Sequence, residues 1–171
     1  MDLRYRLHED LLRAVDTIAQ ADREFQTVFG RAWGGLFWEY AMDDAEHVLV
    51  SMGSLASECT IAADDLRSQG LRTGVIAVRA YRPFPAAELC NALESANTVT
   101  VFEKDVSYGY AGALANDLRS ALFDTGLTPK VSSYVAGLGG RDVRPQQLAE
   151  AAAEAILKRP TVGWIDVKGC A

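Results

Sequence analysis

The chain has 171 residues, 49% of them hydrophobic and 23% charged, with a net charge of −6, which suits one globular domain with an appendage and argues against disorder. Acidic and basic residues are interspersed without a basic stripe, so nucleic acid is not an expected partner. No apolar run approaches the roughly 18 residues that span a bilayer, and the start, MDLRYRLHED, lacks the apolar core of a signal peptide, so no membrane attachment and a cytoplasmic location are expected.

Residues 1–46 form a lead-in. Leu7, Leu11, Val15, Ile18, Phe25 and Phe29 follow helical spacing, interrupted at Asp22, which predicts a long amphipathic helix. The following FGRAWGGLFWEY gathers Phe29, Trp33, Phe37, Trp38 and Tyr40 around glycines. That is more aromatic surface than a short lead-in buries on itself, so these five residues are candidate interface positions. Two readings stay open: the rings cover a face of the chain's own sheet, or they dock onto another chain.

Residues 47–159 alternate β-rich runs with helical patterns. HVLVSMG (47–53) precedes LASECTIAADDLRSQG (55–70), and TGVIAVRAY (73–81) precedes PAAELCNALESA (85–96). TVTVFEK (98–104) then precedes GYAGALANDLRSALFDTG (109–126), and KVSSYVAG (130–137) precedes RPQQLAEAAAEAILKR (144–159). Helices of this length between successive strands imply parallel crossovers and a small α/β sheet of about four strands with helices on both faces. Residues 160–171 form a tail in which Trp164, Ile165 and Val167 supply an edge strand or a partner contact.

Little in the sequence carries chemistry. Cys59, Cys90 and Cys170 are far apart and form no CxxC pair, so neither a disulfide framework nor a zinc or iron–sulfur site is indicated. In open α/β sheets the binding crevice lies at the carboxyl ends of the strands. The loop there with most glycine, GLGGRD at 137–142, follows a strand and precedes a helix, but Asp142 stands where the third glycine of GxGxxG belongs. A tight strand-to-helix turn, with Asp142 or a neighbour capping the helix, is therefore expected, and Gly139, Gly140 and Arg141 remain weak anion-binding candidates.

No P-loop or GxSxG elbow is present. His8 falls in the lead-in helix and His47 at the start of a strand, where neither is placed as a base. Glu103 and Asp105 close a strand; on the expectation that neighbouring extended positions face opposite ways, they read as solvated or ion-paired rather than as an acid/base pair. RPFP at 82–85 fixes a rigid exit from the second strand.

Taken in order, VLVSMGS, GVIAVRAYRPFP, VTVFEKDVSYGYAGAL and YVAGLGGRDV resemble the C-terminal part of the alpha-type chain of 2-oxoacid:ferredoxin oxidoreductases, the pyruvate:ferredoxin oxidoreductase family. The resemblance covers roughly residues 20–150 and rests most on RPFP and GLGGRD in that order. It implies a transketolase C-terminal-like α/β domain with a small, mostly parallel, mixed sheet of about five strands. It also implies a complex that decarboxylates a 2-oxoacid on thiamine diphosphate, passes electrons through iron–sulfur clusters to a ferredoxin-type acceptor and releases an acyl-coenzyme A.

In that family a pyrimidine-binding thiamine domain precedes this region, and the cluster cysteines are closely spaced. The resemblance therefore carries no catalytic residue onto this sequence. It implies a noncatalytic structural subunit, or a fragment, that binds no cofactor alone and partners thiamine-binding and iron–sulfur subunits. The alternative is an autonomous α/β small-molecule or anion-binding domain.

Overall fold

The computed structural model describes residues 1–158 and 162–167. In chain order the elements are α1 (Asp2–Phe29), β1 (Phe37–Tyr40), β2 (His47–Met52), α2 (Ser54–Ser68), β3 (Thr73–Val78), α3 (Ala86–Ala92), β4 (Thr98–Glu103), α4 (Ala113–Thr125), β5 (Lys130–Val135), α5 (Pro145–Leu157) and β6 (Val162–Trp164). A short 3-10 turn at Leu138–Gly140 lies before α5.

The six strands form one sheet in the order β1-β3-β2-β4-β5-β6. Strands β3, β2, β4 and β5 are parallel, and their near-continuous apolar runs follow from having both faces covered. The register sets Val50 beside Ile76 and Val101, and Phe102 beside Tyr134.

Two strands come from the flanking segments. β1 runs antiparallel along β3, Phe37 opposite Val78 and Tyr40 opposite Val75, and β6 pairs parallel with β5, Ser133 beside Val162. The sheet is thus mixed, as the resemblance implied, and larger than alternation alone predicts. β1 and β6 are too short to signal themselves by periodicity. Strand β3 ends at Val78, before the expected 81, because the amides of Arg79 and Ala80 turn to the Leu36 carbonyl, each at 2.9 Å.

Side chains alternate across the sheet and build two cores. On one face Val48, Val50, Ile76, Val99 and Val101 pack under Leu89 and Leu93 at α3 and Leu114, Leu118 and Leu122 of α4. On the other, Leu49, Val75, Phe102 and Tyr134 pack under Leu55, Cys59 and Leu66 of α2 and Leu148 and Ala152 of α5. The alanines of α2 and α5 let these two helices approach closely, while each fully buried leucine contributes about 1.5–3 kcal/mol. β3 and β4 leave β2 on opposite sides, so the carboxyl ends of β2 and β4 flank the topological switch point.

Helix α1 has no buried residue along its 28 positions. Its attachment is polar: Asp22 accepts the backbone amides of Trp33 at 2.8 Å and Gly34 at 3.2 Å. The interruption in the apolar stripe is thus the residue that fastens the helix to the glycine-rich segment.

Candidate functional site

At the switch point, Gly53 takes a positive φ of 61° and hands β2 to α2. Ser54, Glu58, Lys104, Gly140, Arg141 and Asp142 line an open crevice of about 250 Å³, in which Lys104 Nζ lies 3.4 Å from Ser54 Oγ. Cations and carboxylates balance around it.

The GLGGRD loop is a turn in which Gly137, Gly139 and Gly140 all have positive φ, near 70°, a conformation that favours glycine. The Arg141 guanidinium donates to the Asp166 carbonyl at 2.9 Å and to Asp166 Oδ2 at 2.6 Å. This internal pair occupies the cation of the weak anion-site candidate. Helix α5 is capped by Gln147, whose side chain accepts the Arg144 amide at 2.9 Å, while Asp142 lines the crevice instead.

Glu103 and Asp105 depart from expectation. They are two positions apart: Glu103 ends β4 on the face of Val99 and Val101, and Asp105 follows just beyond the bend at Lys104. Glu103 is 3% exposed, so it is not solvated. Its Oε2 accepts the amide of Leu114 at 2.7 Å and its Oε1 that of Ala115 at 3.1 Å, with Ser133 Oγ 3.4 Å from Oε1. The carboxyl group thereby caps α4, whose N-cap is Gly112 and which has no side-chain cap of its own. A side chain on Gly112 would run into this carboxyl group.

Burial, then a hydrogen bond with Asp105, push the Glu103 carboxyl up to about 7 against the opposing pull of the two amides. Asp105 Oδ1 is buried without a hydrogen-bond partner among the described residues. The pair is built to join β4 to α4, with both Glu103 oxygens already engaged by the protein.

RPFP also locks an element in place. Tyr81 donates its hydroxyl to Asp117 Oδ2 at 2.7 Å, and the Arg82 guanidinium reaches the same oxygen at 2.6 Å while stacking 4.1 Å over the Tyr81 ring. The exit of β3 is thereby fastened to α4. His47 sits at the amino end of β2 with Nδ1 3.0 Å from Thr98 Oγ1; burial leads in holding it below its ordinary value. His8 is exposed on α1.

The five aromatic candidates divide. Phe37 packs against one core and Tyr40 against the other, with the Tyr40 hydroxyl donating to Asp64 at 2.9 Å. Trp38 is half-buried in β1. Phe29 and Trp33 remain 61% and 51% exposed. Sequence reasoning missed the two arginines around Trp33, whose guanidinium carbons lie 5.4 Å (Arg31) and 5.6 Å (Arg79) from the ring centroid.

The cysteines do not fit an iron–sulfur cluster. Cys59 is in the core under α2 and Cys90 in the core under α3, and burial pushes the Cys59 thiol up to about 12, whereas cluster ligands are thiolates grouped around iron. Cys170 lies outside the described residues. No group of three or more His, Cys, Asp or Glu side chains suited to a metal occurs among the described residues, and no helix among them is long and apolar enough to cross a membrane.

The chain is thus a doubly wound α/β unit whose strand-end polar groups are mostly engaged with one another. The family profile for pyruvate:ferredoxin oxidoreductase core domain II matches residues 45–148, and the chain belongs to this family. It is 36% identical to pyruvate synthase subunit PorA of Methanothermobacter thermautotrophicus over 168 residues, covering 98% of this chain and 43% of that protein. To the PorA subunit of Thermotoga maritima it is 37% identical over 137 residues, covering 78% and 34%. Ketoisovalerate oxidoreductase subunit VorA of Pyrococcus abyssi is 36% identical over 141 residues, covering 82% and 36%.

The chain therefore spans less than half the length of these relatives. Among solved structures, 2-oxoglutarate:ferredoxin oxidoreductase from Magnetococcus marinus superposes with a TM-score of 0.57 at 18% identity, covering 78% of this chain and 21% of that one. A split-gene transketolase, an inactive β4 tetramer, superposes with a TM-score of 0.51 at 13% identity, covering 70% and 41%. Both likenesses concern the fold.

Proposed function

We propose that this chain is a noncatalytic structural component of a thiamine-diphosphate-dependent 2-oxoacid:ferredoxin oxidoreductase located in the cytoplasm. Thiamine diphosphate, iron–sulfur clusters and coenzyme A are held by other parts of the complex, which together convert a 2-oxoacid to its acyl-coenzyme A and pass electrons to a ferredoxin-type acceptor. Residues 47–159 form the transketolase C-terminal-like unit and residues 1–46 dock it onto the thiamine-binding and iron–sulfur partners, with Phe29, Trp33 and the outer face of β1 at the contact. In the tail, Val162–Trp164 complete the sheet edge as β6.

The observation that carries this reading is the breadth of the match: 98% of the chain aligns to a pyruvate synthase subunit at 36% identity. The internal use of the strand-end groups supports the noncatalytic role, because Glu103, Arg141, Tyr81 and Arg82 are engaged by the chain's own atoms. Titration calorimetry of the purified chain with thiamine diphosphate tests it. The expected result is no binding heat and no visible iron–sulfur absorbance; a saturable isotherm contradicts the proposal.

A further inference from the structure

We infer that the partner surface meeting the glycine-rich segment is an apolar socket rimmed with carboxylates, which receives Trp33 between Arg31 and Arg79. The inference rests on the subunit reading above and adds the chemistry of the contact.

The contact residues form one continuous chain. The Phe29 and Phe25 rings lie with centroids 4.4 Å apart; the Arg31 guanidinium carbon is 5.9 Å from the Phe25 centroid and 5.4 Å from that of Trp33. Arg79 approaches Trp33 at 5.6 Å and also donates to the Trp33 carbonyl. Trp33 is 51% exposed, and both arginines are exposed as well.

Among the described residues neither guanidinium has a carboxylate within ion-pair distance, in a chain whose net charge is −6. The acidic residue nearest in the bonding scheme, Asp22, has its two oxygens taken by the amides of Trp33 and Gly34. Those bonds set the backbone of the segment and leave the cations unpaired.

This arrangement is suited to a protein contact. Tryptophan and arginine are the residues that most often dominate interface energetics, and a ring held by two cations and a fixed backbone loses little freedom on docking. Two uncompensated guanidinium groups beside an apolar ring call for a complementary surface with an apolar centre and negative rim, which also steers encounter.

The test uses the tagged chain purified from its own cells at low ionic strength, reading the coenzyme A-dependent reduction of viologen dye by 2-oxoacids that accompanies it. Wild type is expected to retain that activity at low salt and to lose most of it in a 0.5 M NaCl wash, where the Debye length falls to about 4 Å. The double variant Arg31→Glu, Arg79→Glu should capture at least about tenfold less activity at low salt, whereas Arg31→Lys, Arg79→Lys retains most of it. Thermal melting of each purified variant at the wild-type temperature shows that folding is intact.

Loss on Trp33→Ala with full retention in the double glutamate variant overturns the carboxylate rim while leaving the subunit reading standing. Wild type that brings down no such activity overturns both.

Discussion

The Glu103 carboxylate, at the end of β4, holds the amide of Leu114, the second residue of α4, at 2.7 Å. A buried acid does here what serine or aspartate does at an ordinary helix start, and the cost is pH dependence. Its folded value, about 7, is raised above the ordinary 4.5, so its favourable contribution is complete below about pH 4.5 and is lost as the pH rises through 7. Stability should fall between pH 5 and pH 8 by an amount on the order of 2–3 kcal/mol. Glu103→Gln removes the titrating proton and should flatten this slope, while its side-chain NH2, which cannot accept the second backbone amide, should lower stability at both pH values. Denaturant titrations at pH 5 and pH 8 check it; equal slopes for the two proteins contradict the assignment.

Two glycines separate steric room from backbone conformation. Gly112 has an ordinary φ of −69° but no space for a side chain beside Glu103. Gly139 has open space around it and a φ of +68°. Gly112→Ala should therefore cost about 2–4 kcal/mol by forcing the cap apart. Gly139→Ala should cost about 1–2 kcal/mol through the left-handed backbone alone. Melting temperatures ordered the other way contradict this account.

Asp22 is the fastening of α1. Asp22→Ala removes the acceptor for two amides, at an expected local cost of about 1–3 kcal/mol. Hydrogen exchange should quicken at Trp33 and Gly34 and along α1, while the amides of β2 and β4 exchange as in wild type. Equal acceleration of α1 and the sheet argues that the helix is bound by some other contact.

The central sheet is legible in the sequence because β2, β3, β4 and β5 are apolar on both faces and each is followed by a helical pattern. β1 is not, since Phe37–Tyr40 lies among glycines and exposed rings and reads equally as a docking segment; only pairing with β3 distinguishes the two. The role of Glu103 escaped because its partners lie 11 and 12 residues onward. A signal did exist: α4 begins after Gly112 with no Ser, Thr, Asp or Asn to cap it, so a distant group must. Asp22 was visible in the same way, as a charge in an apolar stripe. The arginine pair around Trp33 was not, because Arg79 reaches it from 46 residues away.

The most direct measurement of the central claim is whether 2-oxoacid oxidoreductase activity purifies with this chain. Affinity capture of the tagged protein from its own cells at low salt, followed by assay of coenzyme A-dependent dye reduction with pyruvate and with branched 2-oxoacids, should enrich that activity. Mass spectrometry should identify thiamine-binding and iron–sulfur chains in the same fraction, while the chain released from them is inactive. A homogeneous chain that brings down neither activity nor such partners, or that catalyses the reaction alone, contradicts the account.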